Sequence, residues 1–183
     1  MSRYRRANTS GATWFFTVVT YRRRRFLCDE DVRVALREAI TKVREQYPFN
    51  IDAWVLLPDH LHAIWTLPPG DAGFSMRWQQ IKRIVTRRCA ARLHRDSWMT
   101  PSKTKHREST LWQRRYWEHQ IRDDADFERH MDYLHYNPAK HRLVTQVADW
   151  PYSSFHRHVA AGTYGVNLAV TSNPDSNEFG DSI

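Results

Sequence analysis

Two short stretches of the chain carry residue types that can do chemistry together. His60 and His62 flank Leu61 in a strand-like run, HLHAIWTL, from His60 to Leu67. Strand side chains alternate faces, so the two imidazoles project together while Leu61 turns into the core. Two imidazoles on one strand face can hold a divalent ion, although two of ten histidines at a hairpin edge can equally be ordinary. The second stretch is MDYLHYNP, Met131 to Pro138. Tyr133 and Asn137 are four residues apart and share a helix face, whereas Met131 and Leu134 lie on a different, apolar side. A tyrosine on a polar helix face is a candidate nucleophile, but an ordinary phenol pKa of ~10 leaves little phenolate at neutral pH. It needs a polarised substrate or a route for its proton. The competing reading of Tyr133 is an amphipathic residue at the core boundary. Tyr136 competes as nucleophile, but on a helix it points away from its neighbour Asn137.

The elements that must position these residues follow from hydrophobic spacing. Ala12 to Tyr21 (ATWFFTVVTY) reads as a strand. Asp29 or Asp31 caps a helix to Gln46, with Val32, Leu36, Ala39, Ile40 and Val43 at helical spacing and Pro48 beyond its end. Ile51 to Leu57 and His60 to Leu67 are strands joined by Pro58-Asp59, a tight hairpin. After Pro68-Pro69-Gly70, a helix over Phe74 to His94 turns Ile81, Ile84, Val85 and Ala91 inward. Residues 95–110 read as a polar loop, and Tyr116 to Ile121 as a fourth strand. Asp123 or Asp124 caps a further helix with Phe127, Met131 and Leu134 on one side, ending near Asn137-Pro138. Trp150 to Ser154 turns into a last short helix. The order β-α-β-β-α-β-α predicts an α+β, ferredoxin-like or RRM-like antiparallel sheet with helices packed mainly on one face. Residues 1–165 form one domain in this reading, and 166–183 a disordered acidic tail. That fold hosts many functions and decides none.

Composition narrows the partner. The 183 residues are 41% hydrophobic and 26% charged, a globular balance. No apolar run is long enough to span a membrane, the N-terminus leads into no signal-type segment, and Cys28 and Cys89 match no paired-thiol pattern. A reducing cytoplasm is the expected compartment. The net charge is +8, yet Arg77 to Arg115 holds twelve Lys/Arg against Asp96 and Glu108, a local +10 that leaves −2 for the rest. Such a face suits nucleic acid. Arg83, Arg87, Arg88, Lys103, Lys105, Arg114 and Arg115 are the expected phosphate contacts, with Trp98 and Trp112 as stacking candidates.

Taken in order, these stretches resemble a known family. Trp54 to Trp65 (WVLLPDHLHAIW) resembles the histidine-hydrophobic-histidine (HUH) motif of single-tyrosine transposases. Trp112 to His119 (WQRRYWEH), Ile121-Arg-Asp123 and His130 to His141 (HMDYLHYNPAKH) are similar to its domesticated branch, the REP-associated tyrosine transposases, relatives of the IS200/IS605 transposases. Tyr4-Arg-Arg6, Trp14 to Thr17 and Asp149 to Ser154 fit the same group, so the resemblance covers about residues 3–160. It implies that His60, His62 and Asn137 bind Mg²⁺ or Mn²⁺, although on affinity alone such ligands favour Zn²⁺ or later transition metals. It also implies that Tyr133 attacks single-stranded DNA at REP-type hairpins to leave a 5′-phosphotyrosine. Tyr4, Arg5 and Arg6 are then expected to approach the bases. It further implies a monomer rather than a dimer that exchanges its tyrosine helix. Many relatives read Asn-Pro-Val-Lys-His-Gly where this chain has Asn137-Pro-Ala-Lys-His-Arg142, a departure that bears on the turn after the helix. The alternatives are a hairpin-binding protein without catalysis and a metal-dependent nuclease using water.

Overall fold

The computed structural model describes residues 9–164 and 179–180. Four strands, β1 (Thr13–Val19), β2 (Asn50–Leu56), β3 (His60–Thr66) and β4 (Trp117–Gln120), form one sheet in the order β2-β3-β1-β4. All three pairings are antiparallel, so the ferredoxin-like arrangement expected from the element order is the one observed. Pro58 and Asp59 turn β2 into β3, with Leu57 N–H donating to the His60 carbonyl at 2.9 Å. Among the described residues no helix is long and apolar enough to cross a membrane.

Alternation along the strands divides the sheet into two faces. Trp14, Phe16, Val18, Leu61, Ala63 and Trp65 face α1 (Glu30–Gln46) and α2 (Phe74–Leu93) in the larger core. Phe15, Ala53, Val55 and Ile64 face the opposite way, against Met131, Tyr133 and Leu134 of α4 (Asp124–Lys140). Helices α1 and α2 thus share one face as expected, and α4, as long as α1, takes the other. The register pairs Thr17 with His62 and Val19 with His60, which puts both imidazoles on the α4 face. Asp123 caps α4 by accepting from Asp126 N–H at 2.8 Å. The outer edge of β2 is shielded by residues 152–154, where Leu56 N–H donates to the Tyr152 carbonyl and Ser154 N–H to that of Trp54. The short α5 (Phe155–Ala160) follows that segment.

Several local expectations are corrected. Residues 95–110 are not a plain loop: a 3-10 turn at Asp96–Trp98 precedes the short α3 (Pro101–Lys105). Thr100 caps α3 by accepting from Lys103 N–H, and Pro101 fits its first turn, where no N–H is needed. On α2, Ala91 is exposed, while Trp78, Cys89 and Leu93 join Ile81 and Val85 inside and Ile84 is half-buried. Helix α4 does not stop at Asn137-Pro138 but runs through Pro138 to Lys140. Proline deprives the helix of one hydrogen bond near its end. The turn closes nonetheless, through His141 N–H to the Asn137 carbonyl and Leu143 N–H to that of Pro138. Arg142 has φ 55°, a left-handed conformation that glycine adopts without strain.

Candidate functional site

His60 and His62 stand side by side on β3, ring centroids 5.0 Å apart and nearly perpendicular. Three residues one helical turn apart on α4 lie along them. The Tyr133 ring is 5.4 Å from that of His62, and the His141 ring is 5.1 Å from that of His60. Asn137, buried, falls between these two contacts on the same helix stripe by its spacing. The structure thus brings Tyr133 to the His60–His62 pair, with Asn137 one turn further along α4. The ring that reaches His62 is that of Tyr133, whereas Tyr136 is half-buried elsewhere on the helix. Tyr133 is not on a polar face as the spacing suggested. It is 1% exposed and packed with Phe15 and Phe179.

Hydrogen bonds fix which nitrogen each histidine presents. The hydroxyl proton of Thr17 goes to the Phe179 carbonyl at 2.6 Å, so Thr17 Oγ1 accepts from His62 Nδ1–H at 2.8 Å. His60 Nδ1–H donates to Asp59 Oδ1 at 2.8 Å, and Arg23 approaches the other oxygen at 3.4 Å. Burial alone would raise the Asp59 pKa, but His60 and Arg23 hold it down at about 2, which keeps the carboxylate ionised. Both rings are thereby oriented with Nε2 as the lone-pair nitrogen, the arrangement by which a carboxylate or hydroxyl behind a histidine prepares it as a metal ligand. His60 Nε2 and both amide atoms of Asn137 are buried without a hydrogen-bond partner among the described residues. Leaving such atoms unsatisfied costs roughly 1–3 kcal/mol each, which fits a site shaped for a divalent cation. Two imidazole nitrogens and an amide oxygen make a coherent donor set for it.

A second polar cluster joins β4 to α4 on the same face. His119 Nε2 and the backbone N–H of Arg122 donate to Asp126 Oδ2, and Arg129 donates to Oδ1 at 2.9 Å. The His130 ring stacks on His119 at 4.6 Å and touches Phe179 at 4.9 Å. Burial opposes ionisation of Asp126, yet His119, Arg129 and Arg122 hold its pKa well below the usual range. His119, Asp126 and His130 offer three potential ligand atoms within 4.8 Å. Guanidinium groups already share the carboxylate, however, so the cluster first of all locks α4 in register behind Tyr133. Spacing alone missed this cluster, although Asp126 and His130 are four apart on one helix. It also passed over Asp59, which adjoins His60 in sequence, and Thr17, whose role depends on β1–β3 pairing.

The basic residues are spread differently from the charge count. Arg77, the first of the run, is buried and paired bidentately with Asp71 at 2.6 and 3.0 Å, so it adds nothing to a surface. Lys103 is 7% exposed, with its ammonium 3.9 Å from the Tyr21 ring and donating to the Ser109 carbonyl. It braces the segment after α3 and presents no charge outward. Arg83, Arg87 and Lys105 are exposed. Arg88 is exposed but paired with Glu38, Arg114 with Glu108, and Arg115 lies just before β4. Lys82, Arg83, Arg107, Arg114, Trp112 and Tyr116 line a groove of about 890 Å³ between α2 and the segment leading to β4. Trp112 presents little surface there, and Trp98 has Arg22 over its ring at 4.6 Å. Tyr4, Arg5 and Arg6 lie outside the described residues. The expected acidic tail does too, apart from Phe179 and Gly180, which pack against Tyr133 and Trp117.

Comparison with known proteins gives a consistent relationship. A protein from Escherichia coli (strain K12) described as a REP-associated tyrosine transposase is 46% identical over 169 residues, covering 92% of each chain. A relative from Haemophilus influenzae is 41% identical over 181 residues, covering 99% of each. A solved structure of a REP-associated tyrosine transposase bound to a REP hairpin superposes with a TM-score of 0.81 at 44% identity over 96% of each chain. The profile of the family described as "Transposase IS200 like" matches residues 10–137, a span that contains both histidines, the tyrosine and the asparagine, and on this evidence the chain belongs to the IS200-like transposases, in their REP-associated tyrosine transposase branch.

Proposed function

We propose that this chain cuts and rejoins single-stranded DNA at REP-type hairpins, with Tyr133 as nucleophile and a transient 5′-phosphotyrosine. The observation that carries the reading is the stripe Tyr133, Asn137, His141 lying along His60 and His62 in a single chain. Tyr133 Oη bonds to phosphorus as the bond to the 3′ oxygen breaks, and the phenol proton leaves with the 3′-hydroxyl. Rejoining is the reverse, with any correctly placed 3′-hydroxyl. One phosphodiester replaces another, so no nucleotide triphosphate is consumed.

His60 Nε2, His62 Nε2 and the Asn137 amide oxygen would hold the cation, for which Mg²⁺ or Mn²⁺ is the working pair. When bound, such an ion supplies Lewis-acid polarisation of the scissile phosphate. The chain's own residues do the positioning. Asp59 and Thr17 fix the two imidazoles, the Asp126 cluster fixes α4, and the buried setting strengthens each electrostatic contact. The groove beside α2, opening toward the β4 edge, is the hairpin-binding surface. Arg83 and Arg114 contact phosphates in the groove, the exposed Arg87, Lys105 and Arg115 extend the contacts beyond it, and Arg88 joins them if it releases Glu38. Tyr4, Arg5 and Arg6 complete the DNA contacts. The α2 groove and Tyr133 lie on opposite faces of the sheet, so the strand to be cut passes around the β4 edge. The protein acts as a monomer in the cytoplasm.

The test is incubation with end-labelled REP-type hairpin DNA and Mn²⁺, followed by a denaturing gel. A covalent adduct in wild type that is absent in Tyr133→Phe and His62→Ala, with hairpin binding retained, is the expected result. Cut DNA without an adduct would instead establish a nuclease using water. Tight binding without cutting would leave a hairpin-binding protein.

A further inference from the structure

The protonated phenol of Tyr133 is a poor nucleophile, and negative charge gathers on its oxygen both as it attacks phosphorus and as it leaves. The residue that meets this difficulty lies two helical turns further along α4. Lys140 Nζ donates to Tyr133 Oη at 3.0 Å, and the same nitrogen is 4.5 Å from the centre of the tyrosine ring. The contact exists because α4 continues through Pro138: a helix ending at Asn137 would release Lys140 from this stripe. The Tyr133 side chain is sealed from water while Lys140 is only half-buried, so the ammonium enters the site from its rim.

We propose that Lys140 is a catalytic residue of the strand-transfer reaction, supplying a fixed positive charge and hydrogen bond to the tyrosine oxygen both when it attacks phosphorus and when it leaves. The inference rests on the transesterification reading of the site and adds a residue to it. In the forward step the O–P bond to Tyr133 forms, the P–O3′ bond breaks, and the proton ends on the 3′ oxygen. In the reverse step the incoming 3′-hydroxyl bonds to phosphorus, the P–O bond to Tyr133 breaks, and the hydroxyl proton returns to the phenol oxygen. Lys140 keeps its own protons throughout. Its ammonium offsets negative charge that builds on one oxygen in a low-dielectric pocket, the situation in which a preorganised donor is most effective. A lysine serving only as a packing stem would leave that oxygen's charge unattended and predicts no dependence on the chemistry of the phenol.

The experiment measures single-turnover rates of adduct formation and of rejoining on a labelled REP-type hairpin for wild type, Lys140→Met and Lys140→Arg. Lys140→Met should slow both steps by about 10²-fold, the scale on which loss of one preorganised donor is felt, with hairpin affinity unchanged. Lys140→Arg, which keeps the charge, should recover most of the loss. Each protein is also prepared with 3,5-difluorotyrosine at position 133, whose phenolate leaves more readily. That replacement should restore rejoining in Lys140→Met more than it accelerates wild type. Wild-type rates in Lys140→Met, a loss confined to binding, or a rejoining defect that difluorotyrosine does not relieve would each overturn the inference. Should Lys140→Met fail to fold, the Lys140→Arg rates with and without difluorotyrosine decide the same question. A wild-type protein that forms no adduct would instead overturn the transesterification reading itself.

Discussion

Replacing Phe179 by alanine should accelerate cleavage, because this side chain covers Tyr133, the proposed nucleophile. Its ring lies flat on Tyr133, centroids 3.8 Å apart and planes within 10°, and is 1% exposed. Its carbonyl also accepts the Thr17 hydroxyl proton. With Phe179 in the path of the substrate, a phosphate reaches Tyr133 only when residue 179 withdraws, and the observed rate then scales with that fraction until it nears one. Burying a phenylalanine side chain is worth about 1.5–3 kcal/mol, and at 1.4 kcal/mol per factor of ten its removal shifts the covered–open equilibrium by roughly 10- to 150-fold. Single-turnover adduct formation with labelled hairpin and Mn²⁺ should therefore rise at least about tenfold in Phe179→Ala. Gly180→Ala offers an independent route to the same end. Its φ is +74° and an added Cβ would lie 2.5 Å from Trp117 Cγ, so the segment must shift without any change to Phe179 itself. The two variants should move the rate in the same direction. Unchanged rates in both, with hairpin binding intact, would refute the idea that Phe179 stands in the path of the substrate.

Two other outcomes follow from buried polar groups. His135, a buried residue of α4, is hydrogen-bonded through Nε2 to Ser154 Oγ at 2.9 Å, and burial, aided by nearby His158 and Arg157, lowers its pKa to about 3. The unfolded chain binds this proton below pH ~6.5 and the folded chain does not until about pH 3, so stability falls as pH drops through that window. The unfolding free energy measured by urea titration should decline by about 1 kcal/mol per pH unit between pH 6 and 4, and His135→Leu should flatten the profile; a wild type equally stable at both ends would contradict this. Asp59→Asn removes the carboxylate that orients His60, and Mn²⁺ affinity measured by calorimetry should weaken roughly 10- to 100-fold, whereas unaltered affinity would exclude His60 Nε2 as a ligand.

How far the sequence discloses this molecule depends on the range of the interaction. Alternation in ATWFFTVV and HLHAIWT assigns faces correctly because the sheet period is local, which sets His60 and His62 side by side, whereas the meeting of Tyr133 with His62 is implied by the family resemblance and by no spacing. Local rules fail where tertiary packing overrides them. Pro138 reads as a stop, yet the buried proline sits inside α4 and keeps Lys140 in register with Tyr133. Lys103 counts as surface charge, but Tyr21 and Ser109 draw it inward across a fold that no short window contains. Phe179 is 162 residues from Thr17, and no periodicity could announce their contact. Tyr133 was misassigned to a polar face because the apolar partners that bury it, Phe15 and Phe179, come from distant parts of the chain.

That α4 lies across the strands of its own chain has a kinetic meaning. On the proposed reaction, Tyr133 meets the histidine pair within one chain, so the rate of covalent capture from a saturated DNA complex should be first order and indifferent to protein dilution. With Tyr133 as the proposed nucleophile, each molecule would hold one DNA end at a time. The outcome of a reaction cycle, whether restoration, circularisation or transfer to another strand, is then a competition among 3′-hydroxyls for a single phosphorus, governed by their local concentration at that point.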